Sequence, residues 1–390
     1  MPLEIVPVET ARDLRRFIDV AWHVYDPSQH PAWVPPLRIA VRDMLDDRKH
    51  PFYQQASRAL WIALRDGKPV GRIAAIENRA HNAHYQDRVG FFGFFETQDD
   101  PEAARALLDT ASEWLRARGL TSIRGPVNPS TNYECGLLVD GFEHHPLFMT
   151  TWNPRYYVPM LETAGFTGVK DLLGWWVPAR ETDYALPPVY ARQASRAREQ
   201  QEVVFRDVDP KNIAPEAALA WDVYNAAWEQ NWGFIPMSRL EFDHLAKDLK
   251  QVVDPRWAFA ALVNGEPAGI AIAIPDYHQI FKRIPNGRLL PTGIFKLLTG
   301  AKKLNTTRVL VLGVKRQYRT RGIFALFLDE FFRRARMYGL RGGEASWVLE
   351  DNLLMNRPLE AIGARPYRRW RIYERPLGGA APSRPAGGDA

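Results

Sequence analysis

Apolar and polar positions alternate along WIALRDGKPVGRIAAI (61–76) and again along FAALVNGEPAGIAIAI (259–274), each time interrupted by Asp-Gly or Asn-Gly. A period of two predicts half-buried strands, and those dipeptides predict tight turns that join them into β-hairpins. Downstream, in the same order, LLDTASEWLRARGL (107–120) and FLDEFFRRARMYGL (327–340) place apolar residues at helical spacing and stop at a Gly. A third pair follows, LETAG (161–165) and LEAIG (359–363). Three collinear matches predict an α/β unit duplicated within one chain.

The Pro-rich and polar run VPARETDYALPPVYARQASRAREQ separates the copies, and VVFRDVD (203–209) opens the second as a strand. The expected division is a first domain at 1–195, a second at 196–376, and a Gly, Ala and Pro rich tail at 377–390 expected to be disordered. At 390 residues the chain exceeds what one core usually spans. Inside the second copy, IFKRIPNGRLLPTGIFKLLTGAKKLN (280–305) breaks the pattern, interleaving ten Ile, Leu or Phe with six Lys or Arg and no acid. Such a segment can pack a helix, TGIFKLLTGAKKL, on the core. Its composition fits a membrane interface better, with the apolar face at the acyl boundary and the cations at anionic headgroups.

Composition narrows the function classes. A net charge of +6 with 46% apolar residues describes a globular, moderately basic chain suited to an anionic partner: a phosphate cofactor, nucleic acid or lipid headgroups. Cys135 is the only cysteine, which excludes an intrachain disulfide framework and a multi-cysteine metal site. The opening MPLEIVPVETARDLRRF lacks a signal-peptide core, and apolar runs such as AGIAIAI are too short to span a bilayer. The expected location is therefore cytoplasmic, peripheral on the cytoplasmic membrane face. HNAH (81–84) and His144-His145 offer no third ligand at useful spacing, so no metal is expected. A Walker P-loop, a Gly-x-Ser-x-Gly elbow and a His-x-x-x-x-Asp acyltransferase motif are all absent.

The candidate chemistry begins at RVLVLGV (308–314), a β-branched and apolar run predicted as a buried strand, followed by KRQYRTRGIFALFLDEFFRR. Strand, basic turn, Gly322 and helix start together present free backbone N–H groups and a positive dipole end to an anion. LGVKRQYRTRGIFALFLDEFF resembles motif A of the GNAT acyl-CoA N-acyltransferases, in which Gln/Arg-x-x-Gly-x-Gly/Ala holds the CoA pyrophosphate. Arg319, Thr320, Arg321, Gly322 and Ile323 fit that motif, while Phe324 takes the last Gly/Ala position and Ala325 follows. ASWVLEDNLLMNRPLEAIGARPYRRWRIYER resembles the superfamily's later strand, helix and closing strands, with Asn352 at its usual Asn and Leu359 where a Tyr general acid is common. The first copy resembles the same fold but reads GFFGFFETQDDPEAARALL, whose acidic DDPE would repel a pyrophosphate; it is expected to be degenerate for CoA binding.

Through HPAWVPPLR, GKPVGRIAAIEN, FFGFFE, GPVNPSTNYECGLLVDGF and NWGFIP the chain resembles a bacterial family of tandem GNAT proteins that includes ceramide synthases. That resemblance implies two tandem GNAT-like α/β domains with mixed sheets flanked by helices. It also implies acyl-CoA as co-substrate and transfer of a long-chain acyl group to the amine of a sphingoid-type lipid. It places the backbone that faces the thioester carbonyl near Gly313 or Val314, and puts Glu229, Asn231 and Trp232 in an acceptor-side loop. Asn128, Asn132 and Glu134 in NPSTNYECG are candidates for polar substrate groups, with turn formation as the alternative.

N-acyl transfer needs a neutral amine, a thioester at attacking distance and donors for the oxyanion. The strand itself offers no base, which leaves Glu350 and Asp351 beside Asn352, and Asp276 and His278 at the hairpin's end, as open candidates. Rival classes are a small-molecule N-acetyltransferase, an aminoacyl-tRNA-dependent transferase of paired GNAT-like folds, and a noncatalytic binding module. RNA is the least expected partner, although YRRWRIYER and RQYRTRG would suit it.

Overall fold

The computed structural model describes residues 2–178 and 185–378, so the expected tail lies almost wholly outside the described residues. The first half runs β1 (Leu3–Pro7), α1 (Ala11–Val24), α2 (Arg38–Met44), β2 (Ala56–Arg65), β3 (Lys68–Asn78), α3 (Arg79–Tyr85), β4 (Val89–Thr97), α4 (Pro101–Arg116) and β5 (Ser122–Gly125). Short β6 (Val127–Asn128), β7 (Glu134–Cys135) and β8 (Leu137–Asp140), then α5 (Tyr157–Thr163) and β9 (Thr167–Pro178), complete it. After α6 (Pro188–Glu199) the order repeats as β10 (Val203–Asp207), α7 (Ile213–Trp228), α8 (Arg239–Leu249), β11 (Ala258–Val263) and β12 (Glu266–Pro275). The second half closes with α9 (His278–Phe281), α10 (Gly293–Gly300), β13 (Thr306–Val314), α11 (Ile323–Met337), β14 (Gly342–Leu349), α12 (Leu353–Ala361) and β15 (Arg365–Pro376).

Both predicted hairpins form, and both turn residues take left-handed backbone: Asp66 and Gly67 at φ 51° and 75°, Asn264 and Gly265 at 52° and 83°. The two amphipathic helices bury equivalent stripes on their sheets, Leu107, Leu108, Ala111 and Leu115 in α4, and Phe327, Leu328, Phe331 and Ala335 in α11. That spacing of one, three and four residues turns one apolar face to the core.

The halves do not close separately. Among the described residues all strands but the short β6 and β7 join one sheet, in the order β1-β2-β3-β4-β5-β15-β9-β14-β13-β12-β11-β10, with β8 attached to β15 off that path. The last strand of each half has crossed over, so β15 pairs with β5 of the first half and β9 pairs with β14 of the second. β15 and β9 also pair with each other along most of their length. Each half therefore depends on the other for a sheet partner.

The segment between β12 and β13 carries α9 and α10. Ile280, Phe281 and Ile284 are buried with Val34, Ile274 and Tyr277, so part of the insertion packs as core. It is tied to the first half through Trp22 Nε1 donating to the Pro285 carbonyl (2.7 Å) and the Arg38 amide donating to the Gly287 carbonyl (2.9 Å). Leu289, Leu297 and Leu304 are partly buried against that cluster, while Leu290, Phe295 and Leu298 face outward, 74%, 68% and 66% exposed. Among the described residues no helix is long and apolar enough to cross a membrane.

Candidate functional site

β13 and β14 run parallel but pair only from Thr306 to Val309 against Gly342 to Ala345. Beyond that point they splay. The register against β12 slips at the same place, since Ile272 faces Val311 and Ala273 faces Val309, which leaves Leu310 as the extra residue of a bulge. The splay opens a cleft of about 550 Å³ lined by Gly313, Val314, Arg316, Arg319, Gly322, Phe324, Ala325, Glu229 and Asn352.

The cleft ends at the start of α11. Gly322 holds φ 74°, and a Cβ there would approach the Gln193 carbonyl of α6 at 2.8 Å. No side chain caps α11, so its first amides stay available to an anion. The equivalent helix of the first half is closed, with the Asp100 side chain accepting from the Ala103 amide (3.0 Å) and Pro101 at its start. Of the other motif residues, Arg321 turns away to pair with Glu202 (2.7 Å), and Ile323 is fully buried in the core. Thr320 does not line the cleft.

A second cavity, about 240 Å³, lies between α7, α8 and the sheet, and the first half supplies part of its wall through Thr131, Asn132, Tyr133 and Cys135. Trp228, Asn231, Leu310, Ser346, Trp347 and Leu349 line both cavities, so the two meet at the bulge. Trp228 rests on Gly313, where a Cβ would sit 2.2 Å from its ring. The loop carrying Asn231 and Trp232 is held from the first half: Thr131 Oγ1 donates to the Gly233 carbonyl (2.6 Å), Tyr85 OH to that of Phe234 (2.9 Å), and Asn132 Nδ2 to that of Ile235 (3.0 Å). Trp232 lines the second cavity and packs under Arg124 and Lys170.

The residues proposed as bases lie apart from this junction. Asp276 is buried and accepts from the Phe148 and His278 amides (3.2 Å each), and His278 Nδ1–H donates to the Pro146 carbonyl (2.8 Å). Burial pushes Asp276 up to about 6 and His278 down to about 4, and neither lines either of these two cavities. Together they hold the 146–149 loop against the insertion. Glu350 accepts from the Asp171 amide (3.2 Å) and Asp351 pairs with Lys170 (2.7 Å), again outside both cavities. Among the described residues no carboxylate or imidazole lines both cavities; Glu229 lines the first and Glu216 the second.

Asn128 and Glu134 have other surroundings. Asn128 Oδ1 accepts from the Phe94 amide (2.6 Å), and a Cβ on Gly93 would lie 1.6 Å from the Val127 carbonyl. β4 and β5 pair only from Val89 to Phe91, so the chain at 127–128 fills the place where the first half would otherwise splay open. Burial raises the Glu134 carboxyl, against the opposing charge of Arg308 and a hydrogen bond from Asn128. Arg308, at the cavity wall, donates to the Phe148 and Met149 carbonyls and to Ser346 Oγ (2.8 Å). Burial works against the Glu344 charge, but Arg368 and Arg308 outweigh it and keep that carboxyl below the usual range. Arg316, Trp228, Ser346 and Trp347 were not singled out by the sequence. Arg316 was legible in the basic turn, whereas the other three depend on which strands splay.

Asp43, His50 and His244 bring potential ligand atoms within 4.8 Å of one another, none of them among His81, His84, His144 or His145. His244 Nε2 lies 3.1 Å from Asp43, and burial, with His244 adding to it, lowers His50 to about 4. An imidazole whose folded pKa is depressed contributes stability above its unfolded value near 6.5 and loses it as pH falls toward about 4. His50 and His278 each carry up to about 3 kcal/mol of this kind. Asp276, whose pKa is raised, runs the opposite way over roughly pH 4 to 6 and offsets about one of them. His81, also lowered to about 4 by burial, runs with the two histidines, and Glu96 and Glu134, raised by burial, run with Asp276, so the contribution of one group is read from its variant: His50→Gln should make the Tm change from pH 7 to pH 5 less unfavourable than in the wild-type chain. The same Tm change in the variant and the wild type would contradict the contribution of His50.

No family model matches the chain. It is 34% identical over 382 residues to the bacterial ceramide synthase of Caulobacter vibrioides, covering 96% of this chain and 98% of that protein. It is 32% identical over 374 residues to Protein YghO of Escherichia coli K12, covering 94% and 93%. In fold it is similar to a tandem GNAT protein from the clavulanic acid biosynthesis pathway, with a TM-score of 0.58, 14% identity, and 97% of this chain and 100% of that one covered.

Proposed function

The chain belongs to the bacterial ceramide synthase family of tandem GNAT-fold N-acyltransferases, and on that footing we propose that it moves a long-chain acyl group from acyl-CoA to the amine of a sphingoid-type lipid. The observation that carries the reading is the meeting of a basic, helix-ended cleft with a mostly apolar cavity at one bulge. The cleft suits CoA. Its pyrophosphate would lie on the Gly322 turn and the first amides of α11, with Arg316 and Arg319 beside it. The cavity suits an alkyl chain, and Asn231 and Ser346 supply polar contacts where the reacting atoms would meet.

In this reaction the amine lone pair adds to the thioester carbon, a C–N bond forms, the C–S bond breaks, and a nitrogen proton ends on the departing CoA sulfur. The ammonium form must first lose one further proton to water. Beyond Val309 the β14-facing edge of β13 has no strand partner, which leaves backbone N–H groups for the oxyanion. We assign the first half a supporting role, since residues 127–128 fill its own splay and Thr131, Asn132 and Tyr85 hold the acceptor loop. The exposed Leu290, Phe295 and Leu298 among the insertion's cations would seat the enzyme on a membrane surface.

Thioester consumption with acetyl-CoA and with palmitoyl-CoA, each with and without a sphingoid amine, tests the proposal, with mass spectrometry identifying the amide. Palmitoyl-CoA carries fourteen more methylenes than acetyl-CoA, and burying ten of them corresponds to about 8 kcal/mol of gross discrimination before ordering costs, so palmitoyl-CoA should win by orders of magnitude. Equal use of both donors would favour a small-molecule acetyltransferase instead.

A further inference from the structure

The second cavity follows one stripe of α7. From the junction at Trp228 it runs past Tyr224, Ala220 and Ala217 to Glu216, while Ile270 and Ile272 of β12 form part of the facing wall. At 1.5 Å of rise per residue, Ala220 lies about 12 Å from Trp228 along the helix axis and Ala217 about 16 Å. Large side chains flank these two positions on the stripe, and only methyl groups occupy them.

We propose that this cavity is an alkyl-chain channel and that Ala217 and Ala220 set the length of chain the enzyme accepts. The inference rests on the acyltransfer reading above and names its specificity-determining residues. An extended hydrocarbon with bonds of about 1.5 Å at about 111° advances about 1.25 Å per carbon. A chain entering at Trp228 therefore reaches Ala220 after about ten carbons and Ala217 after about thirteen. A ring at either position fills the channel at that depth, and packed interiors do not yield room for the remainder. The shared chemistry is an unbranched alkyl chain, carried by the acyl donor or by the amine.

Steady-state kcat/KM of the full chain and of its Ala220→Phe and Ala217→Phe variants tests this in two arms. One arm grades the acyl-CoA from octanoyl to stearoyl with a fixed long-chain amine, and the other grades the amine with a fixed donor. In one arm, Ala220→Phe should keep the eight-carbon substrate within about threefold of wild type and lose the sixteen-carbon one by about a hundredfold or more. Ala217→Phe should keep the twelve-carbon substrate that Ala220→Phe loses. A shift in the donor arm places the acyl chain in the channel, a shift in the amine arm places the amine's chain there, and either supports the proposal. Unchanged affinity for free CoA identifies a folded variant, and Ala220→Val and Ala220→Leu give smaller steps if a ring prevents folding. Folded variants that keep the wild-type profile, or lose all lengths alike, overturn the ruler while leaving the acyltransfer reading in place. A wild-type enzyme that turns over no long-chain donor overturns both.

Discussion

Replacing Gly322 with Val should raise the dissociation constant for acyl-CoA by about a hundredfold or more, equivalent to about 3 kcal/mol. Two effects add. A β-branched residue at φ 74° is strained, and its side chain would press on the Gln193 carbonyl, displacing either α6 or the turn. Displacing the turn would carry the uncapped amides of α11 away from the pyrophosphate, and those amides are worth more to a charged acceptor than to a neutral one. Isothermal titration with palmitoyl-CoA measures the loss, and a thermal melt separates it from unfolding. Arg319→Ala is the companion variant, because Arg319 lines the cleft on the same turn without packing in the core. Unchanged affinity in both folded variants would remove this turn as the CoA site.

Association with anionic vesicles should fall by two orders of magnitude or more when Leu290, Phe295 and Leu298 are all replaced by Ser. Burying a large apolar side chain yields about 1.5–3 kcal/mol, so three together provide on the order of 5 kcal/mol in the acyl boundary. The Lys and Arg of the segment should add a salt-sensitive share. Excising the whole insertion would be a poorer test, since Ile280, Phe281 and Ile284 pack with Val34, Ile274 and Tyr277, and removing them would open that core. Sedimentation with phosphatidylglycerol vesicles at low and high salt reads the effect, and acyl-CoA affinity should stay near wild type. If the triple variant pelleted as the wild type does, another surface would have to serve.

What the sequence made legible was local. Hairpin turns show in Asp66-Gly67 and Asn264-Gly265 because only a few residue types tolerate that backbone, and the helix stripes show because burial imposes a 3.6-residue period. The basic turn before α11 was visible for the same reason: strand, Gly and helix are adjacent in the chain. Pairing between distant strands leaves no such mark. Nothing in RPYRRWRIYERP tells that it will lie against residues 122–125 rather than against its own half. The cavity wall from Thr131 to Cys135, the seating of Trp228 on Gly313 and the turning of Asp276 and His278 toward the 146–149 loop all follow from that long-range arrangement. Asp276 and His278 carry the residue types a base requires, and they are spent on backbone partners that only the folded chain brings near.

The crossed strands also set a timetable for synthesis. β5 ends at Gly125, but the strand that covers its edge ends at Pro376, so a ribosome adding about 5–20 residues per second leaves that edge bare for about 10–50 s. During this interval Ser122 to Gly125 offers unpaired amides and carbonyls to any passing strand, including the same segment on a neighbouring nascent chain of one polysome. Yield of active protein should therefore depend on translation speed and on holdase chaperones more than the stability of the finished sheet would suggest.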